Sequence, residues 1–430
     1  MKTPGNAELK KRILAAAAAV MFGGACVPAL ADTEALIKKL YEKGVLTDEE
    51  YEEMSAEVRE EQREEAAATA AATAKDNDPN KMVGSFKDGV KWKSQDGRFG
   101  LQLHGRVQLD YRSSDLPGSE DDFKVRRAYL GVKGKLYTKW TYELTWDLAK
   151  GRSEYAYINY KWNDSLQIRG GQFKFPFGFS QLTSSRFVDF MERSYTDDFE
   201  PGKDQGLAIY GQPKKNVFSY ALGYANGGGG RGASPDTEKK DLIARVAVNF
   251  APMAKLDKAV LHLGYDYRDG AFNNAGTDFD RTANGLELVG AYGPFKLQSE
   301  IQAIDLATNN AANPDVDVYY VSALWLITGE QYVKNYSING MKAIKPLNPL
   351  SAGGMGAWEL GVQMGELDAD QSQAGTDNVK STTVGIKWIP ETNIRFLLNW
   401  VQNDYETPIT VSGQPISKET QVNARAQLYF

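Results

Sequence analysis

The sequence predicts an all-β protein: a transmembrane antiparallel β-barrel of about sixteen strands behind a short N-terminal helical segment. Three observations carry this prediction. Stretches of about ten residues alternate apolar and polar side chains, the pattern of a tilted strand with one face in lipid and the other in water. Short turns mostly alternate with long polar links. A mean hydropathy of -0.46 over 430 residues is too polar for a bundle of membrane helices.

The first element is a leader. Lys10, Lys11 and Arg12 precede an apolar run, Ile13 to Ala31, that ends in Ala29-Leu30-Ala31. A basic start, an apolar centre and an A-x-A end define a signal peptide over residues 1–31. A membrane anchor is the competing reading; the run is short for it, and no stop-transfer charges follow. Cys26 is the only cysteine and lies inside this segment, with Gly23 where a lipoprotein signal would carry Leu. The chain from Asp32 onward therefore has no material for disulfides or thiolate metal sites.

Residues 32–78 hold 15 acidic and 6 basic side chains, and residues 79–430 hold 40 of each. The net charge of -6 thus divides into +3 for the leader, -9 for the second segment and zero for the rest. No basic field exists for a nucleic-acid partner. Within 33–65 the apolar residues Leu36, Ile37, Leu40 and Tyr41, then Tyr51, Met54 and Val58, recur at helical spacing. Thr47 and Glu50 stand as a capping box at the start of the second helix. Lys75 to Pro79 breaks it. This acidic segment is a stalk and linker; a self-associating coiled coil and a solvated helix pair both fit, as does docking on a periplasmic envelope partner.

The third element, 79–430, is the barrel. Phe99, Leu101, Leu103, Val107, Leu109 and Tyr111 share one face, against Gln102, His104, Arg106, Gln108, Asp110 and Arg112. Sixteen such segments occur near 99–112, 123–136, 139–149, 154–163, 165–175, 205–212, 216–226, 240–250, 259–268, 282–292, 295–305, 316–328, 356–367, 380–389, 393–405 and 418–430. Segment 316–328 has no clean face. Tight turns such as Tyr137-Thr138, Pro213-Lys214-Lys215 and Gly293-Pro294 alternate with longer links, including 176–204, 269–281 and 406–417. The link near Lys150 is short where a long one is due, and 329–355 is long where a short one is due. Trp140, Tyr160, Trp162, Trp388, Trp400 and Tyr429 are candidates for aromatic girdles, and Phe430 closes the last strand.

A charge at the midplane of the lipid face costs about 2–4 kcal/mol, so the charged parity points into a watery lumen. It places Arg106, Arg127, Lys133, Arg169, Arg245, Lys387, Arg395 and Arg425 inside, with Asp110, Glu143, Asp147, Glu287, Glu300 and Glu359. The plain reading is a hydrated wall of cross-strand pairs; the functional one is a cationic constriction favouring anions. The link from Pro176 to Asp204 is too rich in Phe for a free external loop and is the candidate to fold inward. Two histidines, His104 and His262, leave little for catalysis or metal binding, so neither enzymatic activity nor a cofactor is expected.

Gly171-Gln172-Phe173-Lys174-Phe175-Pro176-Phe177-Gly178 and Thr183-Ser184-Ser185-Arg186, followed by Phe190-Met191-Glu192-Arg193, resemble the constriction segment of the phosphate-selective porin O and P family. His104 to Gln108, Arg126 to Leu130, Leu326 to Glu330 and Gly356 to Gly361 fit it too, so the resemblance covers roughly 99–430. It implies an outer-membrane porin of a Gram-negative bacterium, sixteen-stranded and usually homotrimeric, in contact with outer-membrane lipid. It further implies a channel for small anionic solutes, with phosphate or polyphosphate held at the constriction. Carried over by motif, Arg106, Arg126, Arg127 and Arg193 are the anion ligands, with Lys174 beside them; parity adds Arg169 and Arg245 as pore-lining. The pleat turns both Arg126 and Arg127 inward only if a bulge intervenes. A general porin and a stalk-tethered structural protein are the alternatives.

Overall fold

A computed structural model describes residues 29–76, 78–86, 89–228, 237–274, 277–308, 315–369 and 378–430. The expected leader falls largely outside them. The chain divides into two compact units at Lys81–Met82.

The first unit is a helical hairpin of α1 (Ala29–Glu42) and α2 (Asp48–Asp76). The capping box is present. The Thr47 amide donates to Glu50 Oε2 (3.0 Å) and the Glu50 amide to Thr47 Oγ1 (3.3 Å), which satisfies two amides that the first helical turn leaves free. Ile37 and Val58 are buried between the helices, and Tyr41 stacks on Tyr51 at 4.4 Å. The two helices pack against each other within one chain.

The second unit opens with a hairpin absent from the sequence expectation, β1 (Met82–Phe86) and β2 (Val90–Ser94). The sixteen barrel strands follow: β3 (Gly100–Ser114), β4 (Asp122–Leu136), β5 (Trp140–Asp147), β6 (Arg152–Asn163), β7 (Leu166–Lys174), β8 (Lys203–Lys214), β9 (Phe218–Ala225), β10 (Asp241–Asn249), β11 (Ala259–Asn274), β12 (Thr277–Tyr292), β13 (Phe295–Ala307), β14 (Asp315–Leu326), β15 (Ala357–Ala369), β16 (Val379–Glu391), β17 (Ile394–Val411) and β18 (Gln414–Tyr429). Every neighbour is antiparallel, and β18 pairs back onto β3 from Gln421↔Ser114 to Tyr429↔Arg106. Phe430 exchanges backbone hydrogen bonds with Gly105 (2.9 and 3.0 Å). Below that point β3 would show a bare edge, and β2 covers it, pairing Val90–Lys93 with Gly100–Leu103.

Val107, Leu109, Leu144, Trp146, Leu207 and Leu222 are exposed on the outside, while Arg106, Gln108 and Asp110 between them are buried inside. A lipid-facing band with a polar interior is therefore realised. Aromatic pairs gather at the short-turn end: Trp140 on Tyr160, Phe295 on Trp325, and Trp358 on Trp388. Two of the expected girdle residues behave otherwise. Trp400 pairs with Val384 at mid-strand, and Tyr429 points inward against Phe187. Two expected long loops are strand instead. β11 and β12 stay paired out to Asn274↔Thr277, and β17 and β18 turn at Ser412-Gly413, both at positive φ as a two-residue hairpin turn requires.

The ambiguous segment 316–328 has a physical explanation. Val316, Val318, Tyr320, Leu324 and Leu326 point inward and are buried, while Tyr319, Val321 and Trp325 face out. Both faces of β14 are apolar because its inner face packs under segments folded into the barrel.

Candidate functional site: a lumen narrowed from both ends

Two connections enter the lumen. The first, 175–202 between β7 and β8, carries the single turns α3 (Phe179–Leu182) and α4 (Thr196–Phe199). Phe175, Phe177 and Phe179 are completely buried, and Phe190 and Met191 nearly so. Burying such side chains is worth roughly 1.5–3 kcal/mol each, which holds the link inside rather than in solvent. Polar struts fix its height on the wall. Ser180 N donates to Glu300 (2.8 Å), Lys296 to Asp189 (2.7 and 2.8 Å), Met191 N to Asn399 (2.7 Å), Arg425 to the Met191 carbonyl (2.6 Å) and Gln108 to the Ser185 carbonyl (3.2 Å). These partners lie on β3, β13, β17 and β18, so the link crosses the lumen.

The second connection, 327–356, rises from the short-turn end. Tyr332, Tyr336, Ile338, Met341 and Ile344 are buried. Arg245 donates to Asn339 Oδ1 (2.9 Å) and the Ile338 carbonyl (3.1 Å), Tyr332 to Glu359 (3.0 Å), and Tyr336 shares a 2.7 Å hydrogen bond with His262. The two connections meet where Met341 N donates to Thr183 Oγ1 (2.9 Å). Gly340 sits there at φ 114, and a Cβ on it would come within 2.7 Å of Thr183 N.

Between the first link and the inner wall of β3–β10 lies a cavity of about 380 Å³. Arg106, Lys133, Arg169, Lys174, Arg186, Lys203, Arg245 and His104 line it, and Glu143 is the only carboxylate among its described lining residues. Arg106 donates to Ser185 Oγ (2.9 Å), Arg169 to the Tyr210 hydroxyl (2.7 Å), Arg186 to Ser184 Oγ (3.4 Å), and Lys174 to the carbonyls of Gln181 and Thr183. Among the described residues none of these four makes an ion pair; neutral groups orient them, and Arg106, Arg169 and Arg186 bring guanidinium charges without a carboxylate partner. Arg245 differs: it is clamped on Glu287 (2.9 and 2.5 Å) and works as a strut for the second connection.

Of the seven candidates named from sequence, Arg106, Arg169, Lys174 and Arg245 line this cavity; Arg126, Arg127 and Arg193 do not. A bulge does turn both Arg126 and Arg127 inward. Gln108 pairs with Arg127 and Leu109 with Val125, leaving Arg126 as the extra residue. They sit with the Glu192 cluster instead. Arg126 is 3.3 Å from Glu192, Arg112 also pairs with it, Arg425 bridges Asp110 and Glu192, and Arg127 donates to Gln108 (2.9 Å). Burial alone would raise the Glu192 carboxyl, but Arg126, Arg425 and Arg112 outweigh it and hold it down to about 2. Arg193 is spent on the link itself, donating to the Ser180 (2.9 Å) and Thr183 (2.7 Å) carbonyls and pairing with Asp197 (3.5 Å). Lys203 was missed because 176–204 reads as a loop, whereas β8 begins at Lys203 and pairs it across the wall with Glu154.

A closed barrel with an apolar exterior, a charged lumen and a waist narrowed by inward connections is an outer-membrane channel of the porin class. The profile of the family described as "Phosphate-selective porin O and P" matches residues 101–283 and 268–430. This chain belongs to that family, and with it to the outer membrane of Gram-negative bacteria. It is similar to Porin O of Pseudomonas aeruginosa, 25% identical over 370 residues that span 70% of this chain and 82% of that protein. Among solved structures, OmpT of Vibrio cholerae aligns with TM-score 0.51 and 12% identity, covering 81% of this chain and 100% of that one. The channel DcaP of Acinetobacter baumannii aligns with TM-score 0.50 and 12% identity, covering 79% and 99%. These two likenesses concern the fold.

Proposed function

We propose that this porin prefers anions and that its constriction takes phosphate or polyphosphate. The observation that carries the reading is the cluster of Arg106, Arg169, Lys174 and Arg186 around one cavity, with neutral hydrogen-bond partners only among the described residues. A fixed positive field in a narrow aqueous lumen raises local anion concentration, while wet surroundings keep binding weak enough for release. The fork of a guanidinium suits the oxygens of a phosphate. The family membership and the relative named Porin O support the same reading. The test is planar-bilayer conductance of the purified chain in a KCl gradient, with phosphate added. A reversal potential favouring chloride and a phosphate-dependent block are expected. Preference for potassium, or no block, would return the protein to a general porin.

The reading extends to organisation. We assign residues 1–31 to a cleaved signal, 32–78 to a periplasmic stalk and linker, and 79–430 to the barrel, working as a homotrimer. N-terminal sequencing of the exported protein, with Asp32 expected first, and light scattering in detergent test these assignments.

A further inference from the structure

The cavity that holds the uncompensated cations is also walled by aromatic rings, and an inorganic anion would leave those rings unused. Tyr129, Tyr155, Tyr157, Phe173, Tyr210 and Tyr220 all line it. The five tyrosines are only half-buried, so part of each ring borders open space. Rings and cations interleave along the wall. The Arg106 guanidinium lies 4.2 Å from the Tyr129 ring centre, and Lys203 lies 4.4 Å from Tyr155 and 5.3 Å from Tyr129. Arg169 lies 4.2 Å from Tyr157, 5.0 Å from Tyr210 and 5.4 Å from Phe173. Among the described residues no cation lies over Tyr220, and its hydroxyl is tied back to the Ser165 carbonyl at 2.6 Å, which holds the ring in place.

Size points the same way. The cavity of about 380 Å³ falls in the range of roughly 300–1,000 Å³ typical of sites for small organic molecules. A bare phosphate needs donors on all sides and gains nothing from ring faces. An organic anion with a flat apolar body uses both halves of the lining, its carboxylates on the forks and its ring among the rings.

We propose that the constriction cavity is a binding site for aromatic carboxylates, recognised by an alternating array of guanidinium groups and tyrosine rings. The proposal rests on the anion-preferring reading above and narrows it to a class of solute.

The experiment uses the full chain in planar bilayers at pH 8.5, where both diacids are fully ionised, and compares three blockers: phthalate, its saturated counterpart cyclohexane-1,2-dicarboxylate, and orthophosphate. The first two carry the same charge on the same spacing and differ in aromaticity. Phthalate is expected to half-block at a concentration about three- to tenfold below the saturated diacid, the usual worth of aromatic contacts, and below phosphate. In Tyr220→Leu and Tyr155→Leu the phthalate-to-saturated ratio is expected to move toward one. Equal block by the two diacids, or a ratio unchanged in both variants, overturns this inference while leaving anion preference standing. A reversal potential favouring potassium with no block by any of the three overturns both readings.

Discussion

Arg106→Gln isolates the charge at the cavity. Arg106 donates to the Ser185 hydroxyl and rests on Tyr129, and no carboxylate pairs with it among the described residues. Glutamine keeps an uncharged amide donor on a shorter side chain and removes the charge, together with the stacking on Tyr129. An anion passing ~5 Å from the guanidinium gains about 0.8 kcal/mol in the dielectric of bulk water, and about 3 kcal/mol at an effective dielectric of ~20. Since about 1.4 kcal/mol is tenfold in an equilibrium constant, anion occupancy should fall at least about fourfold. The chloride-to-potassium permeability ratio from reversal potentials in a KCl gradient reads this directly. Arg193→Gln serves as the contrast, because Arg193 already pairs with Asp197 and two carbonyls; its loss should lower thermal stability more than it alters the ratio. A ratio unchanged in Arg106→Gln, or changed more by Arg193→Gln, would refute the assignment of free charge to the cavity.

Other outcomes follow from the struts of the lumen. Asp189→Asn leaves Lys296 buried beside a neutral group, at a cost of about 3–5 kcal/mol, and should lower the unfolding temperature in detergent while making the single-channel current noisier. Phe179→Ala should cost about 3–5 kcal/mol by opening a hole beneath the first link, measurable as a lower denaturation midpoint and a larger unit conductance. Gly340→Val forces a Cβ into the Thr183 backbone and should cost about 1–3 kcal/mol, with limited proteolysis reporting exposure of the second connection. Glu192 has its folded pKa depressed, so its contribution is complete above the usual carboxylate value near 4.5 and is lost as pH falls toward about 2. Wild-type stability should therefore decline across that window, and Glu192→Gln should flatten the decline; parallel curves would contradict the pairing with Arg126, Arg425 and Arg112.

The barrel was legible because lipid imposes a rule on every second residue; β3 and β5 obey it along their membrane-facing stretch, and β18 does so up to the inward Tyr429. Legibility ended where another environment replaced lipid or water. β14 defied the rule because Val316, Val318 and Tyr320 meet inward-folded chain instead of water. The outer parts of β11, β12, β17 and β18 rise beyond the apolar band, so no alternation marked them as strand. β1 and β2 are five residues each and exist to cover an edge, a need that appears only once β18 has closed on β3. The cations show the same limit. Parity said correctly that Arg106, Arg169 and Arg245 face inward, but an inward arginine can be a strut or a free charge. Only the distances to Glu287, Glu192 and Asp197 separate Arg245, Arg126 and Arg193 from Arg106 and Arg169.

The contact between Thr183 and Met341 joins residues 158 apart in the chain. A contact of that span forms late, since the strands between must be in place before its ends can meet. The narrowing contributed from the short-turn end thus depends on a contact of long sequence span, whereas the first link is held to the wall by its own struts. A barrel whose wall had closed but whose second connection had not docked would already span the membrane with only the first link narrowing its lumen. For the cell, a fault in this one docking step would register as leakage through an intact wall and not as a missing protein.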